Sequence, residues 1–351
     1  MAVTNVRNCE IAGLAAAVPR GVAGTLDSPA LSSAEAEKLI RVTGIREKRV
    51  SEEHVCTSDL CAAAAEELIR ALGWQKQEIG LLIFVSQTPD YPLPATASIL
   101  QDRLGLPKHC MAFDIILGCS GYVYGMSVAA SIISAMGIEK GVLLAGDTMS
   151  KIVNAGDRGA GPLFGDAGTA TALRFRAGAD AMTFDLCTDG SGWNAIMIPH
   201  GGSRRPVTEE SLRARECPGG GVRKGTEVHM NGPDVFGFTL REVPPSVRRV
   251  MQAADVSTND VDAFVFHQAN QMMNESIRKK LEIPTDKFPY SLDEFGNTSS
   301  ATIPLTLTVR CRSLLQESSA VLVLAGFGVG LSWGSMLVRT DRMVCPLLVE
   351  V

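Results

Sequence analysis

The sequence predicts an α/β protein organised around a parallel sheet, on two observations. Three apolar runs of strand length, 81–86, 111–117 and 142–146, alternate with helical segments. Continuous apolar runs fit strands covered on both faces, and strand–helix–strand alternation marks crossover connections. The second half then shows a similar order of elements, with the division near residue 178 and no sequence repeat behind it.

The elements follow in order. Residues 10–18 read as a first strand closed by Pro19-Arg20-Gly21, and 34–41 as a short helix ending before Thr43-Gly44. Thr57 or Ser58 can cap a helix through 60–72, with Gly73 as its stop. The Pro-rich stretch 88–94 is a loop, followed by a helix to about Leu104. Strand 111–117 leads through Gly118 and Cys119 into a small-residue helix over 120–135. After strand 142–146, another strand is expected at 169–175, and 201–225, rich in Gly, Arg and Pro, reads as a surface excursion. A helix over 235–253 should kink or restart at Pro244-Pro245. Strand 263–266, helix 268–281, helix 302–315 entered through Pro304, and strands 321–325 and 331–338 complete the chain.

With 351 residues and 46% hydrophobic content, the chain can bury an ample core. The net charge of −5 and the absence of a basic field exclude a nucleic-acid binder. Nine scattered cysteines without a CxxC pair argue against a disulfide framework or a zinc site, and for a reducing compartment. No metal site is expected. No apolar run reaches membrane-spanning length and residues 1–21 lack a signal-peptide pattern, so the expectation is a soluble cytoplasmic protein.

Cys119 sits where a strand ends and a helix begins. Free N–H groups and the positive end of the helix dipole there are expected to lower a thiol's pKa; a buried, inert cysteine is the alternative. His267 ends strand 263–266 and opens the next helix, and Asn297 follows Gly296 in a polar stretch. Each alone fits a histidine satisfied near a helix start or an ordinary turn asparagine. All three, however, lie at or beyond the C-terminal ends of strands, the edge of an open α/β sheet where ligands collect. Together they supply a nucleophile and two polar groups able to polarise a carbonyl.

Four motifs then carry a family resemblance: DIILGCSGY around Cys119, FHQAN at His267, FGNTSSATIP at Asn297 and GFGVGLSWG from Gly326 to Gly334, supported by FGDAG at 164–168 and TGIR at 43–46. In this order, over nearly the whole chain, the sequence resembles the β-ketoacyl-[acyl-carrier-protein] synthase III enzymes of the thiolase superfamily. The resemblance implies a five-layer αβαβα fold of two related halves, here 1–178 with the cysteine and 179–351 with the histidine and asparagine. It also implies a homodimer, a place in fatty acid or specialised lipid assembly, and no cofactor beyond acyl-CoA or acyl carrier protein substrates. Cys119 is implied as acyl acceptor, with the backbone N–H groups of Cys119 and Val329 as oxyanion donors. His267 and Asn297 are implied as stabilisers of the enolate left when a malonyl thioester, delivered by acyl carrier protein, loses carbon dioxide.

Departures concern the substrate's carrier. Where acyl-CoA-using relatives place a Trp and an Arg before the Thr-Gly-Ile motif, this chain has Lys38 and Val42. Arg158 matches the family's second nucleotide-contacting residue. Arg278, Lys279 and Lys280 match part of a carrier-protein surface, although the basic residue usual nearer the histidine is Met272. Leu93 matches a residue that shapes the partner subunit's acyl pocket, often Phe. An acyltransferase or non-decarboxylating condensing enzyme stays open as an alternative; a non-catalytic partner subunit is disfavoured because all three residues are present.

Overall fold

The computed structural model describes residues 3–217 and 220–351; Met1, Ala2, Pro218 and Gly219 lie outside the described residues, the last two within the expected excursion. The chain begins with β1 (Thr4–Val6), β2 (Cys9–Val18), α1 (Ser33–Thr43) and α2 (Thr57–Leu72). It continues through β3 (Ile79–Val85), α3 (Thr96–Arg103), β4 (Met111–Ile115), α4 (Gly121–Met136), β5 (Lys140–Thr148) and β6 (Asp166–Phe175). Next come β7 (Met182–Thr188), α5 (Gly232–Ala253), β8 (Ala263–Phe266) and α6 (Gln271–Lys280). The last elements are α7 (Thr302–Arg310), α8 (Arg312–Glu317), β9 (Ala320–Gly328), β10 (Ser332–Thr340) and β11 (Val349–Glu350).

The strands form two sheets, ordered β11–β2–β6–β5–β3–β4 and β1–β7–β10–β9–β8. Both are mixed, which corrects the expectation of a parallel sheet. The helical crossovers give the parallel pairs β3–β4, β3–β5 and β8–β9. The link from β5 to β6 carries only a single 3-10 turn at Met149–Lys151, and three residues join β9 to β10, so those strands return antiparallel. Each terminal strand joins the sheet of the opposite half: β1 pairs with β7, and β11 with β2.

The apolar runs are explained by coverage on both faces. Leu81, Ile83 and Val85 of β3 point into a core shared with α4, α7 and the second sheet, while Leu82 and Phe84 pack under α2 and α3. Helices α5 and α6 cover the outer face of the second sheet through Phe238, Val247 and Ile277. The result is five layers, αβαβα. Helix α4 lies close to its sheet because Gly121 and Gly125 present no side chain; a Cβ at either would meet Val85 at 2.6 and 2.8 Å.

Local differences from the sequence reading have local causes. Helix α2 begins one residue earlier, with Cys56 as cap, because Asp59 Oδ2 accepts from the Cys56 N–H at 2.6 Å. Asn270 caps α6 by accepting from the Met273 N–H at 2.8 Å, so His267 lies in the turn before the helix and does not open it. The expected single helix over 302–315 is two, α7 and α8, broken at Cys311. Helix α5, by contrast, runs unbroken through Pro244 and Pro245. Pro244 leaves the Leu240 carbonyl without its helical donor, and Lys280 Nζ supplies one at 2.9 Å.

Candidate active site

The turn after β4 brings Cys119 to the start of α4, with the Gly121 N–H bonded to the Gly118 carbonyl at 2.6 Å. The end of β9 closes over the thiol. A Cβ at Gly328 would stand 2.7 Å from Cys119 Cβ and 3.0 Å from Sγ, so only glycine permits this approach. Ser332 holds that closure, donating to the Val329 carbonyl at 2.7 Å and contacting Ser120 Oγ at 2.6 Å. The backbone N–H groups of Cys119 and Val329 favour the thiolate. Burial nevertheless pushes the thiol up to about 12, with the Asp147 carboxylate adding to the rise and Ser299 and the two N–H groups opposing it. The expected lowering by the helix start is thus overturned, because desolvation of a thiolate outweighs a few partial charges.

His267 follows β8, is buried, and packs edge-to-face on Phe327 with ring centroids 5.3 Å apart. Its Nδ1 lies 2.8 Å from Thr302 Oγ1. Burial lowers its pKa to about 3, so the imidazole is neutral at ordinary pH. Asn297 is fixed through its backbone, donating to the Leu163 carbonyl at 2.9 Å and accepting from the Gly165 N–H at 3.0 Å. Its Oδ1 accepts the Ser299 N–H at 2.9 Å, which leaves the amide NH2 for a ligand. Ser299 itself adopts φ 53°, and its Oγ is 4.0 Å from Cys119 Sγ. One cavity of about 710 Å³ reaches Cys119, His267 and Asn297, with walls that include Met149, Phe164, Ile196 and Met230.

Residues 113–190 and 251–340 match the family models described as 3-oxoacyl-[acyl-carrier-protein] synthase III and its C-terminal region. A β-ketoacyl-[acyl-carrier-protein] synthase III from Symbiobacterium thermophilum is 34% identical over 339 residues, covering 96% of this chain and 99% of its own. Another from Natranaerobius thermophilus is 35% identical over 302 residues, covering 85% and 88%. The crystal structure of a 3-oxoacyl-(acyl-carrier protein) synthase from Burkholderia xenovorans superimposes with a TM-score of 0.93 at 35% identity, over 100% of this chain and 99% of that one. The chain belongs to the 3-oxoacyl-[acyl-carrier-protein] synthase III family. It is a condensing enzyme with the thiolase-like fold.

The remaining sequence-predicted residues of this condensing enzyme are less uniformly disposed. Arg158 borders the cavity's outer end, but its guanidinium is engaged by the Ala30 carbonyl at 3.0 Å and Glu35 at 2.6 Å. Arg278 is largely buried, paired with Glu275 and bonded to the Ile283 carbonyl. Lys280 is committed to Leu240, so of the expected basic patch Lys279 is exposed without such a tie to the fold. Leu93 is 85% exposed and outside the cavity walls.

Sequence reasoning missed Asp147, the buried carboxylate behind the site. It accepts from the Gln87 N–H at 2.7 Å, the Ser86 hydroxyl at 3.1 Å, and the Ser300 N–H and hydroxyl at 3.1 and 2.7 Å. It therefore ties the turn after β3 to the turn that carries Asn297 and Ser299. An acid ending an apolar strand was the available signal.

Proposed function

We propose that the enzyme condenses an acyl group held on Cys119 with a malonyl thioester delivered by acyl carrier protein. The observation that carries this reading is the convergence of Cys119, His267 and Asn297 on one cavity, with two backbone N–H groups that favour the thiolate. The thiol attacks an acyl thioester, a new S–C bond forms, and the carrier leaves as its thiol with the proton lost by Cys119. The tetrahedral oxyanion is held by the N–H groups of Cys119 and Val329. A malonyl thioester then takes the carrier's place. Its bond to the terminal carboxylate breaks and carbon dioxide leaves, the electron pair remaining as an enolate. The enolate oxygen accepts from His267 Nε2–H and the Asn297 amide, and its carbon attacks the acyl-cysteine carbonyl to form a C–C bond. The acyl S–C bond then breaks, and Cys119 leaves as a thiolate that regains a proton from solvent as the β-ketoacyl thioester departs.

We infer that a carrier protein delivers the first acyl group also. The mouth offers Leu39, Val42 and Met272 where a nucleotide would need aromatic and cationic contacts, and Arg158 is already paired. Lys279 is the remaining candidate for an acidic carrier surface. A homodimer fits β4, which pairs on one side only, beside exposed Tyr91, Leu93 and Ile116. The two related halves, 1–178 and 179–351, then contribute the acyl acceptor and the enolate-stabilising pair respectively.

The test is intact-protein mass after incubation with acyl-CoAs and acyl carrier proteins, run beside Cys119→Ala. The expected result is a one-acyl mass gain absent in the variant, faster from the carrier protein than from CoA, and discharged by malonyl-carrier protein with carbon dioxide release. Discharge to an alcohol or amine without carbon dioxide would replace condensation by simple acyl transfer.

A further inference from the structure

Polar side chains on the wall of a largely apolar cavity need partners, and most of those around Cys119 have one within the fold. Thr43 donates to the Leu39 carbonyl at 2.8 Å, Asn270 accepts the Met273 N–H at 2.8 Å, and Arg158 is bonded to Glu35. His267 contacts Thr302, and Asn297 accepts the Ser299 N–H. Gln87 differs. Its backbone N–H donates to Asp147 at 2.7 Å, which fixes the turn after β3, but its side-chain amide has no hydrogen-bond partner among the described residues.

Sheet register puts that amide close to the nucleophile. Val85 and Ile115 are paired at the ends of the parallel neighbours β3 and β4, so the turns carrying Gln87 and Cys119 leave the sheet side by side. Gln87 Oε1 lies against Gly118, where a Cβ would stand 2.9 Å from the amide carbon, and the residue lines the cavity with Ile116 and Cys119. A primary amide offers two N–H donors and a carbonyl acceptor. Facing only apolar neighbours it leaves these unpaired, a cost that a ligand with a matching polar atom removes.

We propose that Gln87 is a specificity-determining residue for the acyl group on Cys119: its amide selects a chain bearing a hydroxyl or keto oxygen a few bonds from the thioester. This rests on the acyl-cysteine reading above. Gln87 comes from the half that supplies the acyl acceptor, whereas His267 and Asn297, which serve the malonyl unit in that reading, come from the other. Its reach sets where the oxygen must be. Gly118 is one Cα–Cα step of about 3.8 Å from Cys119, so the matched atom lies near the acyl head and not at its tail. A 3-hydroxyacyl group is the simplest fit, with Met149, Leu163 and Phe164 left for the apolar remainder. An unsubstituted chain leaves the amide unpaired, and a site built around a polar contact rejects such an analogue strongly.

The experiment follows the rate of mass gain on Cys119 from 3-hydroxyoctanoyl- and octanoyl-carrier protein. The wild type is run beside Gln87→Met, which keeps the length without the amide, and Gln87→Leu, a shorter apolar side chain. The wild type is expected to load the hydroxyacyl chain at least about tenfold faster, and the ratio should fall close to unity in both variants. Equal wild-type rates, or a ratio unchanged in the variants, would overturn the proposal. An unchanged ratio with a weakened dimer in sedimentation would assign the amide to the partner subunit instead. Variants that load neither chain would make the amide a support for the turn, which also overturns it. If the wild type loads no acyl group at all, the acyl-cysteine reading fails and the proposal falls with it; loading without preference overturns the proposal alone.

Discussion

At the floor of the cavity, Cys119 and His267 follow strands and Asn297 follows a short helix at Leu292–Phe295; Gly328 closes on the first, Thr302 contacts the second, and Leu163 and Gly165 hold the third. At the mouth, Val42 and Met272 are 39% and 49% exposed, and the nearby Arg158 is turned aside into Glu35. The floor is buried and stereochemically fixed, so it can stabilise charge that appears only during reaction. The mouth is apolar and partly exposed. In the function proposed above, the floor sets the reaction and the mouth the carrier.

Substitutions at the floor should have effects that the mouth cannot match. Cys119→Ala should abolish acyl loading and condensation, a loss on the order of 10⁴-fold or more, seen by product formation and intact mass. His267→Ala and Asn297→Ala should each slow malonyl decarboxylation by about 10²–10³-fold in kcat with acyl loading retained, as carbon dioxide release will report. Asp147→Asn should cost about 3 kcal/mol in denaturant unfolding, because several buried donors lose a charged acceptor. The pH dependence has a definite sign. The folded pKa of His267 lies near 3, below its ordinary 6.5, so the unfolded chain binds the extra proton. Stability from this group is complete above about pH 6.5 and falls as pH drops towards about 3, by at most ~1.4 kcal/mol per unit. His267→Gln should flatten that part of the profile in urea titrations. At the mouth, Met272→Arg should lower KM for acyl-CoA only about fivefold at low ionic strength, the gain vanishing in high salt. A larger gain there than the loss at His267 would dissolve the contrast between floor and mouth.

The floor was legible because Cys119, His267 and Asn297 each lie in a short motif, DIILGCSGY, FHQAN and FGNTSSATIP, whose order along the chain carries the family resemblance. The closure over Cys119 shows why the thiol's pKa was not. Its value depends on how near β9 comes through Gly328, a contact 209 positions away in sequence. Asp147 was hidden for a similar reason: its donors come from residues 86–87 and from Ser300, which no local pattern links. The strand runs were visible, but the direction of β10 was set by a three-residue connection and that of β6 by a link without a crossover helix. Lys280 looked like a surface charge because the carbonyl it serves is exposed by a proline on another helix.

The crossed terminal strands carry a consequence for dissecting the molecule. β1 is an N-terminal segment sewn into the second sheet, and β11 a C-terminal one sewn into the first. Separated at residue 178, neither fragment would hold a complete sheet, and each would carry the missing strand of the other. Mixed together, the fragments have complementary ends, so the molecule is suited to reconstitution from two pieces, with activity as the sign that both seams have closed.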